Sequence, residues 1–101
     1  MNILDFIKKN LPIRKLDFEE DFLLIKLDNV QKFTIKFLDN SMTSIICDSI
    51  DFCNQNRILY FNCNDYCILR RNISGIRDVR VVDCSQDEYR QECMRLEELF
   101  V

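Results

Sequence analysis

Apolar and polar residues change their spacing twice along this chain. At the start, Ile3 and Ile7 recur at helical spacing, Asn2 is placed to cap the first turn, and Pro12 ends the pattern. The pattern predicts a short helix over residues 2–10.

Alternation at a period of two begins at Phe22 and predicts strands. Asp28 and Asn29 separate two alternating runs, which is typical of a hairpin, and Asn64-Asp65 separates two more. The stretch 48–56 is rich in turn-forming residues and is the longest predicted loop. The predicted strands are 22–27, 32–37, 42–47, 57–63, 66–70 and 76–82.

The last segment has the spacing of a longer helix. Ser85 and Glu88 match a capping box, and Tyr89, Cys93 and Leu96 form an apolar stripe. We therefore predict an α+β fold: a single antiparallel sheet of about six strands, flanked by a short N-terminal helix and a longer C-terminal helix packed on one face. With 101 residues, the chain has the length of one domain, residues 1–101.

The composition limits the chemistry. The chain is 48% apolar and 31% charged, which is typical of a globular protein, and it holds one Gly, one Pro and no His. A single glycine rules out the glycine-rich loops that hold phosphates, and the lack of histidine removes the commonest general acid and base. We therefore predict no enzyme, no catalytic residues and no cofactor.

Six cysteines invite a disulfide, metal or nucleophile interpretation: Cys47, Cys53, Cys63, Cys67, Cys84 and Cys93. The chain starts without an export signal and contains no C-x-x-C pair, so we predict reduced, mostly buried thiols in the cytoplasm and no metal site. Asp48 and Asp51 offer two carboxylates to a divalent ion, but turns use the same residue type. Cys84, placed before the last helix, is the nearest approach to an activated thiol.

Nucleic-acid and membrane partners have little support. Arg70, Arg71, Arg77 and Arg80 fall on predicted strands next to one another, with Tyr60 nearby, which is a pattern used by single-strand binders. The net charge of −3 opposes that interpretation, so nucleic acid is an unlikely partner. No apolar run approaches the ~20 residues that span a bilayer.

Acidic residues form the most distinctive feature of the sequence. Four acids surround Phe18 in five positions, and we predict that they form a protruding negative loop that binds a basic protein. Acids on the last helix form a second candidate surface. The predicted binding residues are Asp17, Glu19, Glu20 and Asp21, followed by Glu92, Glu97 and Glu98.

In size, acidity, compartment and missing catalytic groups, the chain resembles the small cytosolic immunity proteins of bacterial toxin–immunity pairs, including those of contact-dependent growth inhibition. The resemblance lies in this profile and in no motif. It implies a stoichiometric inhibitor that binds and neutralises a toxic domain, often a basic nuclease, with acids standing in for substrate phosphates. The alternatives are a virus-encoded inhibitor of a bacterial defence protein and a single-stranded nucleic-acid-binding module.

Overall fold

The computed structural model describes residues 3–100 and contains two α-helices and six strands in those residues. The elements in chain order are α1 (Ile3–Asn10), β1 (Ile13–Glu19), β2 (Phe22–Phe37), β3 (Met42–Cys53), β4 (Ile58–Cys63), β5 (Tyr66–Asn72), a 3-10 turn (Ile73–Gly75), β6 (Ile76–Asp83) and α2 (Gln86–Phe100). The α+β class with one six-stranded antiparallel sheet and two terminal helices is confirmed. The cap predicted at Asn2 lies outside the described residues.

The sheet is a meander with one exception. Strands β1 to β5 pair with their sequence neighbours, whereas β6 returns to pair with β2. Because β3 occupies one side of β2 along both halves, β1 and β6 share the other side: β1 pairs with residues 22–27 and β6 with residues 31–37. Strand β2 is therefore the centre of the sheet.

The prediction of a hairpin turn at Asp28-Asn29 is wrong, because β2 runs through both residues as one 16-residue strand. The registers with β3 shift between Lys26 and Gln31, so this polar stretch forms an irregular segment within the strand. The Asp28 amide donates to the Pro12 carbonyl oxygen, which keeps the backbone paired at this point. Pairing with neighbouring strands overrides the local turn preference.

The long loop predicted over residues 48–56 is also wrong in its first part, because β3 continues to Cys53. The acids found there have partners. Asp48 accepts hydrogen bonds from the Asn64 amide at 2.9 Å and from the Tyr89 hydroxyl at 2.7 Å. Asp51 accepts one from Asn62 Nδ2 at 3.1 Å. These bonds offset the cost of placing carboxylates in an inner strand.

The main core fills one face of the sheet. Phe33 and Phe61 are fully buried and meet edge to face, with ring centroids 5.9 Å apart. Ile3 and Ile7 of α1 belong to the same cluster, so the apolar stripe of the first helix packs as its spacing predicts. The other large side chains that are fully buried in or beside this core are Ile25, Ile35, Ile50 and Leu59.

Helix α2 is fixed to the sheet by separate contacts. Leu96 is buried, the Tyr89 hydroxyl bonds Asp48, and the Tyr66 and Phe100 rings stack at 5.0 Å. The capping box is confirmed, since the Glu88 amide donates to Ser85 Oγ and the Ser85 amide donates to Glu88. Over residues 3–100, neither helix has the length and apolar character needed to cross a membrane.

Candidate protein-binding surface

The acidic run lies in a tight hairpin and not in a free loop, which corrects the predicted conformation. Asp17 and Glu19 are in β1, Glu19 faces Phe22 across the turn, and Glu20 has a positive φ of 52°. The Asp21 carbonyl oxygen accepts a hydrogen bond of 2.8 Å from the Asn54 amide. The backbone at the tip of the hairpin is therefore tied to the β3–β4 turn.

Three of the four hairpin acids carry charge that the fold does not pair. Asp17 forms an ion pair of 3.1 Å with Lys15. Glu19, Glu20 and Asp21 are exposed and join none of the ion pairs found within residues 3–100. Their negative charge is therefore available to a partner.

An exposed aromatic residue stands among these acids. Phe18 is 72% exposed, and Leu16 and Phe22 are 38% and 39% exposed. Phe18 and Phe22 line a groove with Phe52, whose ring is covered by the Arg57 guanidinium at 5.0 Å. Phe18 is not among the predicted binding residues. The sequence pattern that points to Phe18 is the alternation of Leu16 and Phe18 with charged residues, which indicates a strand with one apolar face.

The acids of α2 are used differently. Glu92, with a side chain only 18% exposed, accepts hydrogen bonds from the Arg95 guanidinium. Glu88 accepts from Lys32, and this hydrogen bond lowers the pKa of Glu88, with further help from Ser85. Glu97 and Glu98 are exposed and form no ion pair within the described residues. Of the three α2 candidates, Glu97 and Glu98 therefore have free charge, whereas Glu92 is engaged.

Burial raises the pKa of several of the thiols. Burial raises the pKa of Cys63 to about 12 and also raises that of Cys47. Burial and the neighbouring Glu88 also raise the pKa of Cys84, so the start of α2 does not favour its thiolate. Cys47, Cys53 and Cys63 are buried as predicted, whereas Cys67 is exposed and Cys84 and Cys93 are partly exposed.

Asp48 and Asp51 have separate partners, Tyr89 with Asn64 and Asn62 respectively. Among residues 3–100, the structure contains no group of three or more Cys, Asp or Glu side chains placed to hold a metal ion. The two carboxylates therefore act here as hydrogen-bond acceptors.

The arginines do not lie on adjacent strands, which corrects the arrangement considered for nucleic-acid binding. Strand β5 carries Arg70 and Arg71 and pairs with β4, whereas β6 carries Arg77 and pairs with β2. Two of these side chains already have partners: Arg71 covers the Phe37 ring at 5.1 Å, and Arg77 donates to Asn40 at 2.6 Å. Arg70 faces Tyr60 across the ladder and is exposed.

The β1–β2 hairpin thus combines unpaired charge with exposed apolar side chains, and the end of α2 does so as well, with Glu97 and Glu98 beside the exposed Met94, Leu99 and Phe100. Comparisons of the chain with protein-family models, with curated proteins and with solved structures each found no match.

Proposed function

We propose that this protein is a stoichiometric inhibitor that binds and neutralises a toxic, basic protein domain, as immunity proteins do. The single observation that carries the proposal is the acidic hairpin, where the unpaired carboxylates of Glu20 and Asp21 line one groove with the exposed Phe18. A fixed, charged hairpin with an aromatic residue offers both long-range attraction and a short-range anchor.

In this proposal the two kinds of side chain act at different stages of binding. The carboxylates of Glu19, Glu20 and Asp21 attract a basic surface and accelerate encounter. Phe18 then enters an apolar depression on the partner and slows dissociation. When the partner is a nuclease, the carboxylates occupy the positions where its cationic side chains bind substrate phosphates.

The same proposal assigns no catalytic step to the protein and places it in the cytoplasm. Raised pKa values at Cys47, Cys63 and Cys84 support the first point, because the thiolate and not the thiol is the nucleophile. Free thiols support the second, because oxidising compartments favour disulfides. A virus-encoded inhibitor of a defence protein would use the same surface.

The test compares two matched double variants. Glu19→Lys with Glu20→Lys reverses two exposed hairpin charges, and Glu97→Lys with Glu98→Lys makes the same change on α2. The probe is the protein encoded by the neighbouring open reading frame, purified with and without this chain. We expect the hairpin variant to associate about 10 to 1,000 times more slowly at low salt, because electrostatic steering is lost.

The α2 variant controls for net charge and is expected to lose less of the association rate. Equal losses in the two variants would show that net charge alone steers binding and would remove the hairpin from the proposal. A wild-type protein that instead binds single-stranded oligonucleotides, with affinity falling steeply as salt rises, would replace the inhibitor by the nucleic-acid-binding alternative.

A further inference from the structure

Strand β1 is an edge of the sheet. Within residues 3–100 its ladder joins it to β2 alone, so its other side presents backbone amides and carbonyls without a partner strand. Its register with β2 is continuous from Lys15 to Glu19 and shifts between Ile13 and Lys15. Residues 15–19 therefore form a regular edge onto which another strand can add.

The apolar face of the sheet continues into this edge and is uncovered there. Leu16 and Phe18 lie opposite Ile25 and Leu23, which are both buried. Directly opposed residues share one face of a sheet, so Leu16 and Phe18 extend the core face to its border. Both are exposed, Phe18 strongly, which indicates a face that an added strand would cover.

The other face of the same edge carries one positive and one negative charge. Lys15 and Asp17 lie side by side and form an ion pair of 3.1 Å. The charges of the segment Lys15-Leu16-Asp17 are complementary to those of a second, antiparallel copy of the same segment. An antiparallel copy with its axis at Leu16 sets Lys15 opposite Asp17 of the partner subunit and Leu16 opposite Leu16 of the partner subunit.

We propose that a second copy of this chain pairs with β1 in this antiparallel register and joins two sheets into one. A twofold axis perpendicular to the sheet keeps both apolar faces on the same side, which is the geometry of an isologous dimer. Two pairs of opposite charge and the central leucine pair favour the register, since such cross-strand pairs stabilise a ladder.

Of the registers centred on Leu16, Asp17 and Phe18, only the first opposes no like charges. Moving the axis to Asp17 keeps Lys15 opposite an acid, Glu19 of the partner subunit, but places Asp17 opposite Asp17 of the partner subunit, and moving it to Phe18 places Asp17 opposite Glu19 of the partner subunit. Both arrangements oppose like charges. Glu20 and Asp21 lie beyond the paired segment and stay exposed, whereas Phe18 and Glu19 lie within it, so a second copy and a basic partner compete for this edge. The dimer is argued from β1 pairing and does not rest on the inhibitor function.

The experiment is a charge exchange read out by sedimentation equilibrium from ~1 μM to ~1 mM protein. We expect a wild-type monomer–dimer equilibrium. Lys15→Glu alone and Asp17→Lys alone each place like charges opposite one another and weaken dimerisation about tenfold or more. The double variant K15E/D17K restores opposite charges across the axis and returns the dissociation constant towards the wild-type value.

Two further measurements make the result unambiguous. Circular dichroism shows that each variant is folded, and the Glu97→Lys, Glu98→Lys variant controls for a change in net charge away from β1. A wild-type protein that is monomeric at every concentration overturns the proposal. A double variant that dimerises no better than the single variants overturns the register centred on Leu16.

Discussion

The β1–β2 hairpin and helix α2 are both acidic, but their acids make different contacts. In α2, Glu88 forms an ion pair with Lys32 and takes part in the capping box, and Glu92 forms an ion pair with Arg95. In the hairpin, Glu19 and Glu20 point into solvent without a cation. The same residue type stabilises the fold in one region and leaves charge for a partner in the other. Local context, and not acidity, distinguishes a carboxylate that the fold pairs from one that it leaves unpaired.

Both regions contain buried and exposed apolar residues, and α2 exposes Met94, Leu99 and Phe100, but one residue from each region shows a clear contrast. Leu96 of α2 is 1% exposed, whereas Phe18 of the hairpin is 72% exposed. Burying an apolar side chain contributes to folding in proportion to the area removed from water. We therefore expect folding stability to depend more on Leu96 than on Phe18, and the following substitutions test this difference.

Leu96→Ala is expected to have the largest effect on stability. It removes a buried side chain and leaves a cavity between α2 and the sheet, so the free energy of unfolding falls by about 2 to 5 kcal/mol. Phe18→Ala, at an exposed position, changes it by about 0.5 kcal/mol or less. Urea denaturation of both variants measures the difference. A comparable loss in the Phe18 variant would contradict the assignment of Phe18 to binding.

Tyr89→Phe is expected to have an intermediate effect. The substitution removes the hydroxyl that donates to Asp48 at 2.7 Å and leaves the Asn64 amide as the remaining donor. We expect the free energy of unfolding to fall by about 1 kcal/mol. Tyr66→Phe is the matched control, because it makes the same chemical change at a ring that stacks on Phe100. Equal losses would show that the bond to Asp48 adds nothing to stability.

Glu88→Gln is expected to have the smallest effect, and one that depends on pH. The hydrogen bond from Lys32 lowers the pKa of Glu88 below its ordinary value of 4.5. Ionised Glu88 therefore stabilises the fold above pH 4.5, and this contribution is lost as the pH falls through the lowered pKa. The Tm difference between wild type and variant should be largest near neutral pH and shrink in acid.

Glu20→Gln is the matched control, because it makes the same chemical change at an exposed hairpin position away from Lys32. Thermal unfolding monitored at about pH 3 and about pH 7 provides the comparison. If the Tm difference between wild type and Glu88→Gln is the same at both pH values, the ion pair with Lys32 is not its cause.

The sequence predicted the elements whose signals are local. The capping box of α2 involves residues three apart, and the apolar stripe of α1 lies within eight residues, so both helices were found. The count of six strands was correct, but it combined two opposite errors. Strand β1 was missed, and β2 was divided at Asp28. Pairing with distant strands decided both cases, and a single sequence does not contain that information in local form.

The features of the candidate site also fall into those that the local sequence shows and those that depend on the fold. Positions of the acids could be read directly, and the pairing of Glu92 with Arg95 follows from helical spacing. The exposure of Phe18 could not be read, because it depends on β1 lying at the border of the sheet. An aromatic residue in a strand is usually buried, and only the topology shows that this one is not.

The return of β6 to β2 has a consequence for the order of folding. Within residues 3–100, every other ladder joins strands that follow one another in sequence, so each closes only a short loop. The β2–β6 ladder pairs Gln31 with Asp83. It forms either after the hairpins between these strands have folded or by closing a long loop of unfolded chain. Contacts between residues far apart in sequence slow folding. Completion of this ladder is therefore the step expected to set the folding rate.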